Sequence, residues 1–410
     1  MALDILIAAE FLDDISAPNT YNSRFFTIAD MLVERGHSVR IVTTDFVHSA
    51  KRHVTGVTKY KQIPLATLHE PGYRKNISLS RFRSHYRLSR ALRKWLRTTK
   101  KPDVIYCAVP SLDFAYEAAR YARDNGVKFV VDIQDLWPEA FQMVLDVPGL
   151  SDLLFYPLRR KADSVYRTAD RICAVSQTYV DRALKVSEKC TTGDAVFLGT
   201  DVDRFDRFRQ EPSPLQKKEG EVWLGYVGTL GYSYDLKTVM DAMDLLRDLP
   251  EAAKLRFVVA GDGPLRQEFE DYAAEKKVDV VFTGKLPYPQ MVALLCQCDM
   301  AVNPIKKRAA QSIINKHGDY AAAGIPVVNS QEAMEYRHLV RDRQMGFNCR
   351  CQDPQDMADK LLDLLTDPGL RETMGRNARI CAEEKFHRGR TYRTIIDAIE
   401  GQEDTPCLRP

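Results

Sequence analysis

The residues best suited to chemistry are Lys316 and Asp319. They lie in the stretch 312–328, which reads SIINKHGDYAAAGIPVV. Ser312 or Asn315 can cap a short helix over 316–323, Gly324 ends it, and Pro326 opens the next strand. A helix N-terminus carries about half a positive charge and Lys316 adds a full one, which favours a diphosphate there. Asp319 lies one turn deeper. A diphosphate repels a carboxylate, so Asp319 must do something else, and accepting hydrogen bonds from ribose hydroxyls fits. The same residues also describe an ordinary capped helix with a dipole-favoured acid, and the stretch alone leaves both readings open.

Other loops offer weaker groups. Residues 228–235, GTLGYSYD, and 261–266, GDGPLR, place glycines where backbone can approach a ligand, although a plain turn after a strand uses glycine in the same way. The loop 10–23 lacks G-x-G-x-x-G, so the dinucleotide fingerprint of a dehydrogenase is absent. It holds Asn19, Thr20, Asn22 and Ser23, with Arg24 at the following helix start. That set can face an anion, or it can be a solvated loop with an Asn or Ser cap. Cys296/Cys298 and Cys349/Cys351 are C-x-C pairs among nine cysteines. The spacing does not match structural zinc pairs, so reduced thiols and no metal are expected.

These loops need elements to position them. Apolar runs at 4–9, 38–43, 104–108, 129–133 and 171–175 read as buried strands separated by helical stretches. In residues 24–35, Phe25, Ile28, Ala29, Leu32 and Val33 share a helical face, and Gly36 ends it. A Pro- and Gly-bearing charged segment at 206–221 reads as a linker. The alternation then restarts with strands at 222–227, 255–260, 280–283, 300–303 and 326–329. Helices follow at 356–365, 370–384 and 391–399.

The fold class is therefore α/β, with two doubly wound Rossmann-like domains facing a central cleft. The expected division is 1–210, a first Rossmann-like domain; 211–385, a second; and 386–410, a helix and tail returning to the first domain. Ligands bind outside the carboxyl ends of parallel strands, so the chemistry is expected on the loops between the domains.

Composition supports an ordinary globular protein. Of 410 residues, 45% are hydrophobic and 28% charged, too many for one core to bury and too balanced for disorder. The net charge of +3 does not argue for nucleic acid. No apolar run reaches the roughly 20 residues of a membrane-spanning helix, and the first residues lack the basic region of a signal peptide.

The chain resembles the bacterial retaining glycosyltransferases of family four, which have the GT-B fold, and especially the branch that builds O-antigen and capsule. The resemblance rests on Arg35-Gly36-His37-Ser38-Val39, DIQDLWPE at 132–139, Ala174-Val175-Ser176, and residues 199–205. It continues through GDGPLR, Phe282-Thr283-Gly284, Asn315-Lys316, and 319–328, ending at 376–386. These motifs keep the family's order and spacing. The resemblance implies transfer from a nucleotide-sugar, which enters as a substrate, with no cofactor. The base is expected to be uracil because this branch often uses UDP-sugars. It implies donor contacts at Gly228, Thr229, Arg266, Gly284, Lys285, Leu286, Ser312, Asn315, Lys316 and Asp319. On the acceptor side it points to Asn19, Asn22, Arg24 and Gln134.

The chain also departs from the family. Its E-x₇-E pair falls on Gln311 and Asp319, and Gln311 carries no charge. The basic pair of the Gly228 loop falls on Thr229 and Tyr234, which makes Lys316 the leading diphosphate contact with Arg266 and Lys285 in reserve. The family's N-terminal glycine pair falls on Asn19 and Thr20, and a common histidine on Gln134. Lys316, Gln311 and Asp135 are the catalytic candidates. Asp135 suits an acceptor-side base or orienter, or a structural cap for the turn before Trp137-Pro138.

Between Glu70 and Asp103 there is no acid, while eleven Lys and Arg interleave with Leu79, Phe82, Tyr86, Leu88, Leu92, Trp95 and Leu96. A basic amphipathic helix over 74–101 is expected to meet an anionic membrane surface, making the protein cytoplasmic and peripheral on the inner face of the plasma membrane. A helix packed on its own sheet with a solvated basic side gives the same pattern. The expected acceptor is a glycan or lipid-linked sugar, and no nucleic-acid module is recognisable. The competing functions are a GT-B nucleotide-sugar epimerase and a non-catalytic partner subunit.

Overall fold

Strands Asp4–Ala8, Val104–Val109 and Lys128–Ile133 are almost wholly buried, and such parallel strands need cover on both faces. The computed structural model supplies that cover with helices. It describes residues 1–16, 23–76, 78–142, 150–307, 309 and 313–402. The described chain divides into two units, one made of residues 1–197 with the chain from Thr391 on, the other of 198–390. Each is a doubly wound α/β unit.

The first sheet runs in space Asp194–Ala195, Arg171–Ala174, Lys128–Ile133, Val104–Val109, Asp4–Ala8, Ser38–Thr44, Ile63–Leu68, Lys59–Tyr60. Only the last pair is antiparallel. Strand order reverses between Asp4–Ala8 and Val104–Val109. Helices Leu79–Leu96, Leu112–Asn125 and Leu150–Thr168 pack on one face, with Leu88, Leu92 and Leu96 fully in the core. Helices Arg24–Glu34 and Arg393–Glu400 pack on the other, through Phe25, Ile28 and Leu32 and through Ile395, Ile396 and Ile399. Lys128 Nζ donates to the carbonyls of Ala398 and Ile399, capping the last helix.

The apolar stripe of Leu79–Leu96 is therefore not available to a membrane. Its outer side shows Arg83, Arg87, Arg90, Arg93 and Lys94, with Leu79 and Tyr86 exposed at the N-terminal end. Among the described residues no helix is long and apolar enough to cross a membrane.

The second sheet is parallel throughout, in the order Val280–Gly284, Leu255–Ala260, Val222–Val227, Met300–Asn303, Val327–Asn329, Gly346–Asn348. This is the 3-2-1-4-5-6 order of a dinucleotide fold, with its switch point between Val222–Val227 and Met300–Asn303. Strand Ile63–Leu68 was hidden in the sequence by Pro64, whose missing N–H usually argues against a strand interior. The divide between units falls before the 206–221 segment. Helix Val202–Phe208 belongs to the second unit: Asp206 takes both terminal nitrogens of Arg379 at 2.7 and 2.6 Å, and Arg209 Nη2 donates to the Ala322 carbonyl at 3.1 Å.

Candidate functional site

At the switch point of the second sheet, the ladder between its two middle strands ends at Gly225 and Ala301. Tyr320 fills the gap beyond. Its hydroxyl accepts the Val227 N–H at 3.1 Å and donates to the Val302 carbonyl at 3.2 Å. Tyr320 lies on helix Asn315–Ala323, one turn after Lys316, so the two side chains share a face. The same geometry that lets Tyr320 splice the strands aims Lys316 at the Gly228 loop. A Cβ built on Gly228, whose φ is +140°, would stand 3.0 Å from Lys316 Nζ.

Lys316 is 7% exposed, and its buried ammonium has no hydrogen-bond partner among the described residues. It sits 4.2 Å from the ring centre of Tyr226 and 4.0 Å from that of Tyr234. Two desolvated cation–π contacts give about 2 kcal/mol each, against several kcal/mol to bury an unpaired charge. The balance remains unfavourable, and burial pushes the Lys316 pKa well below its ordinary 10.5. Tyr234 occupies one of the positions where the resembled family carries a base. The cage was not foreseen, although a tyrosine beside a buried lysine is its natural signature.

The helix start differs from expectation. Its cap residue is Ile314, and Asn315 is exposed inside the first turn. His317 makes the capping contact instead, with Nδ1 accepting the Ile314 N–H at 3.2 Å while its ring stacks on Tyr336 at 3.6 Å. Gly324 ends the helix with φ +73°, as its sequence position suggests. Ser312 and Gln311 lie outside the described residues.

Asp319 is buried, and its Oδ1 accepts from the hydroxyls of Thr200 and Tyr288, each at 2.8 Å. Burial raises its pKa while these donors oppose the rise. Asp319 thus ties the helix to Thr200 and to the start of helix Tyr288–Leu295, a task the sequence reading missed. Tyr288 follows the turn Gly284-Lys285-Leu286, where Lys285 is exposed and Leu286 partly so. A Cβ on Gly284 would meet Arg266 Nη1 at 3.1 Å, and Arg266 Nε pairs with Glu270 at 2.7 Å. Gly261 and Gly263 pack against the backbone of Gly228 and Leu230, so they serve loop-on-loop packing. Thr229 is exposed at the loop tip, and its carbonyl accepts from Tyr226 Oη at 2.8 Å.

The acceptor-side candidates fare differently. Arg24 and Gln134 are both bound to the buried Asp132. Arg24 Nε and Nη2 donate to its two oxygens at 2.7 and 2.9 Å, Gln134 Nε2 donates at 3.0 Å, and the Tyr106 hydroxyl donates as well. Arg24 Nη1 goes to the carbonyls of Val196 and Phe197, and its guanidinium lies over Tyr392. Arg24 serves a core ion pair: four of its five N–H donors are engaged and the residue is buried. Asp135 Oδ1 accepts the Leu136 N–H at 3.0 Å and faces Tyr179 Oη at 3.5 Å, the bonding of a turn cap. Burial raises its pKa. Asn19, Thr20 and Asn22 lie outside the described residues.

The chain is similar to known proteins. The family model "Glycosyltransferase Family 4" matches residues 22–191, and "Glycosyl transferases group 1" matches 221–367. The chain is 25% identical to sulfoquinovosyl transferase SQD2 of Arabidopsis thaliana, over 90% of this chain and 68% of that one. It is 24% identical to the putative colanic acid biosynthesis glycosyl transferase WcaI of Escherichia coli K12, over 91% and 94%. The crystal structure of Anabaena HepE in complex with UDP superposes with a TM-score of 0.70 at 17% identity, covering 97% of this chain and all of that one.

Tyr320→Phe tests the splice. It leaves a buried N–H and a buried carbonyl without partners, which costs about 1–3 kcal/mol. Urea unfolding is expected to shift to a lower midpoint and UDP to bind more weakly. An unchanged midpoint with unchanged UDP affinity would show that the hydroxyl holds nothing. Glycosyltransferase models thus match both halves of the chain, and its two dinucleotide-type units have the GT-B fold.

Proposed function

We propose that the protein transfers a sugar from a UDP-sugar to a glycan or lipid-linked acceptor in cell-surface polysaccharide synthesis, with retention at the anomeric carbon. The observation that carries this reading is the buried Lys316 ammonium, which has aromatic neighbours but no hydrogen-bond partner among the described residues. Its missing partner is an anion at the switch point of a dinucleotide-type sheet. The UDP held by HepE, which shares the fold, supports a uridine diphosphate in that role. The likeness to WcaI supports a cell-surface polysaccharide as product. Retention rests on the resemblance to family four.

In the reaction, the acceptor hydroxyl bonds to the anomeric carbon while the bond from that carbon to the diphosphate breaks. The leaving diphosphate keeps the electron pair. Lys316 and the backbone of the Gly228 loop stabilise its growing charge, and they are in place beforehand. Asp319 meets the ribose through the oxygen that Thr200 and Tyr288 do not use. Asp135 takes or orients the acceptor proton, helped by a raised pKa that makes it a stronger base. Neither step needs a metal. The exposed basic side of Leu79–Leu96, with Leu79 and Tyr86 at its end, holds the protein to an anionic membrane surface on the cytoplasmic side.

A panel of nucleotide-sugars, with and without lipid-linked acceptor, tests the reaction. Acceptor-dependent UDP release is expected. Acceptor-independent conversion would make the protein an epimerase, and no turnover would make it a non-catalytic subunit. Lys316→Ala is expected to cut turnover more than tenfold, about 1.4 kcal/mol; unchanged kinetics in a folded variant would remove Lys316 from the site. For the membrane, co-sedimentation with anionic but not zwitterionic vesicles is expected at low salt, with release at high salt. Failure to bind anionic vesicles at low salt contradicts it.

A further inference from the structure

The first unit carries a cluster that the transfer reaction does not use. Asp45 follows strand Ser38–Thr44, His53 lies in strand Arg52–His53, and His69 follows strand Ile63–Leu68. One ligand atom from each lies within 4.8 Å of the others. His69 Nδ1 is 2.8 Å from Asp45 Oδ2, and His53 Nε2 is 3.9 Å from Asp45 Oδ1. The two imidazole rings are nearly parallel, 25° apart with centres 5.6 Å apart. We propose that Asp45, His53 and His69 bind a divalent transition-metal ion of the zinc class, with water completing its shell.

The donor set selects the ion. Two imidazoles and one carboxylate suit zinc, copper or nickel, whereas magnesium and calcium prefer oxygen alone. Zinc lies about 2.0–2.2 Å from such ligands, which puts ligand atoms around one ion roughly 3–4 Å apart. The observed 2.8 Å lies just below that range and 3.9 Å within it, so small side-chain rotations suffice. The carboxylate is also held in place, since Asp45 Oδ1 accepts the Glu70 N–H at 2.9 Å. The His69 side chain is 74% exposed, which gives an ion direct access.

Without the ion, hydrogen bonds occupy the same atoms. His53 Nε2 meets the Glu70 carbonyl at 2.7 Å and His69 Nδ1 meets Asp45. The ion takes the place of those ring protons, and each neutral imidazole then carries its N–H on the other ring nitrogen. Bound there, it ties the two-stranded hairpin of Phe46–Val47 and Arg52–His53 to the end of the main sheet.

A buried cluster nearby, Glu10, Glu70 and His85, also brings ligand atoms within 4.8 Å. It is the poorer site. Arg81 Nε lies 3.4 Å from His85 Nε2 and already supplies positive charge there. Both Glu70 oxygens accept hydroxyls, from Thr44 and Ser84, at 2.8 Å, and Ser111 holds Glu10 Oε2. A second cation beside that guanidinium would be repelled.

The test uses the full-length, tag-free chain. Calorimetric titration with Zn²⁺ is expected to show saturable one-to-one binding. Co²⁺ is expected to give d–d absorption without thiolate charge-transfer bands. His69→Ala and Asp45→Asn are expected to lose at least about tenfold in affinity, while Glu10→Gln loses none. His69 is largely exposed, so its variant keeps the fold. No saturable one-site binding, binding that survives His69→Ala, thiolate bands, or loss in Glu10→Gln instead would each overturn the assignment.

Discussion

The second unit depends on one hydroxyl. Where the middle strands of its sheet part, Tyr320 bonds to Val227 on one side and Val302 on the other. A parallel sheet must open at its switch point for a ligand to enter, and opening exposes backbone groups that must be satisfied. Satisfying them from the helix that follows the second strand fixes that helix in register with the first strand's loop. Lys316 and Asp319 ride on that helix, so their positions follow from the splice. Lys316 ends between Tyr226 and Tyr234 beside Gly228, and Asp319 ends on Thr200 and Tyr288.

The first unit is held by charge near the end of a strand beside its switch-point pair. Asp132 stands at the end of its strand and gathers Arg24, Tyr106 and Gln134. A buried pair of this kind is held by its full set of partners: removing one leaves an uncompensated charge costing about 3–5 kcal/mol. Arg24 also reaches the carbonyls of Val196 and Phe197, at the point where the first unit's chain ends. The two ends of parallel sheets thus differ in chemistry. One is locked by an ion pair, and the other keeps a lysine without a hydrogen-bond partner among the described residues.

Much of this was legible in the sequence. Short apolar runs marked most strands of both sheets, and the Gly324-Ile325-Pro326 sequence marked the end of the Lys316 helix. What the sequence could not show was which distant side chains meet. Arg24 and Gln134 looked like ligand groups because Asp132 is a partner only in three dimensions. The basic helix looked membrane-facing because an apolar stripe is the same whether it covers a sheet or a lipid, and the structure buries Leu88, Leu92 and Leu96 in the core. Ser312 and Asn315 looked like caps by residue type, but His317 closes the turn from inside the helix. The Tyr234 position was read as a lost base. Its ring instead faces the base that Lys316 brings from the other side of the switch point.

The central claim is that Lys316 awaits a diphosphate, and comparing UDP with UMP in the wild type and in Lys316→Met measures that pairing directly. Titration calorimetry is expected to show that the wild type prefers UDP over UMP and that the preference collapses by about tenfold or more in the variant, while UMP affinity barely changes. Equal loss of UDP and UMP binding, or an unchanged preference for UDP, would contradict the account.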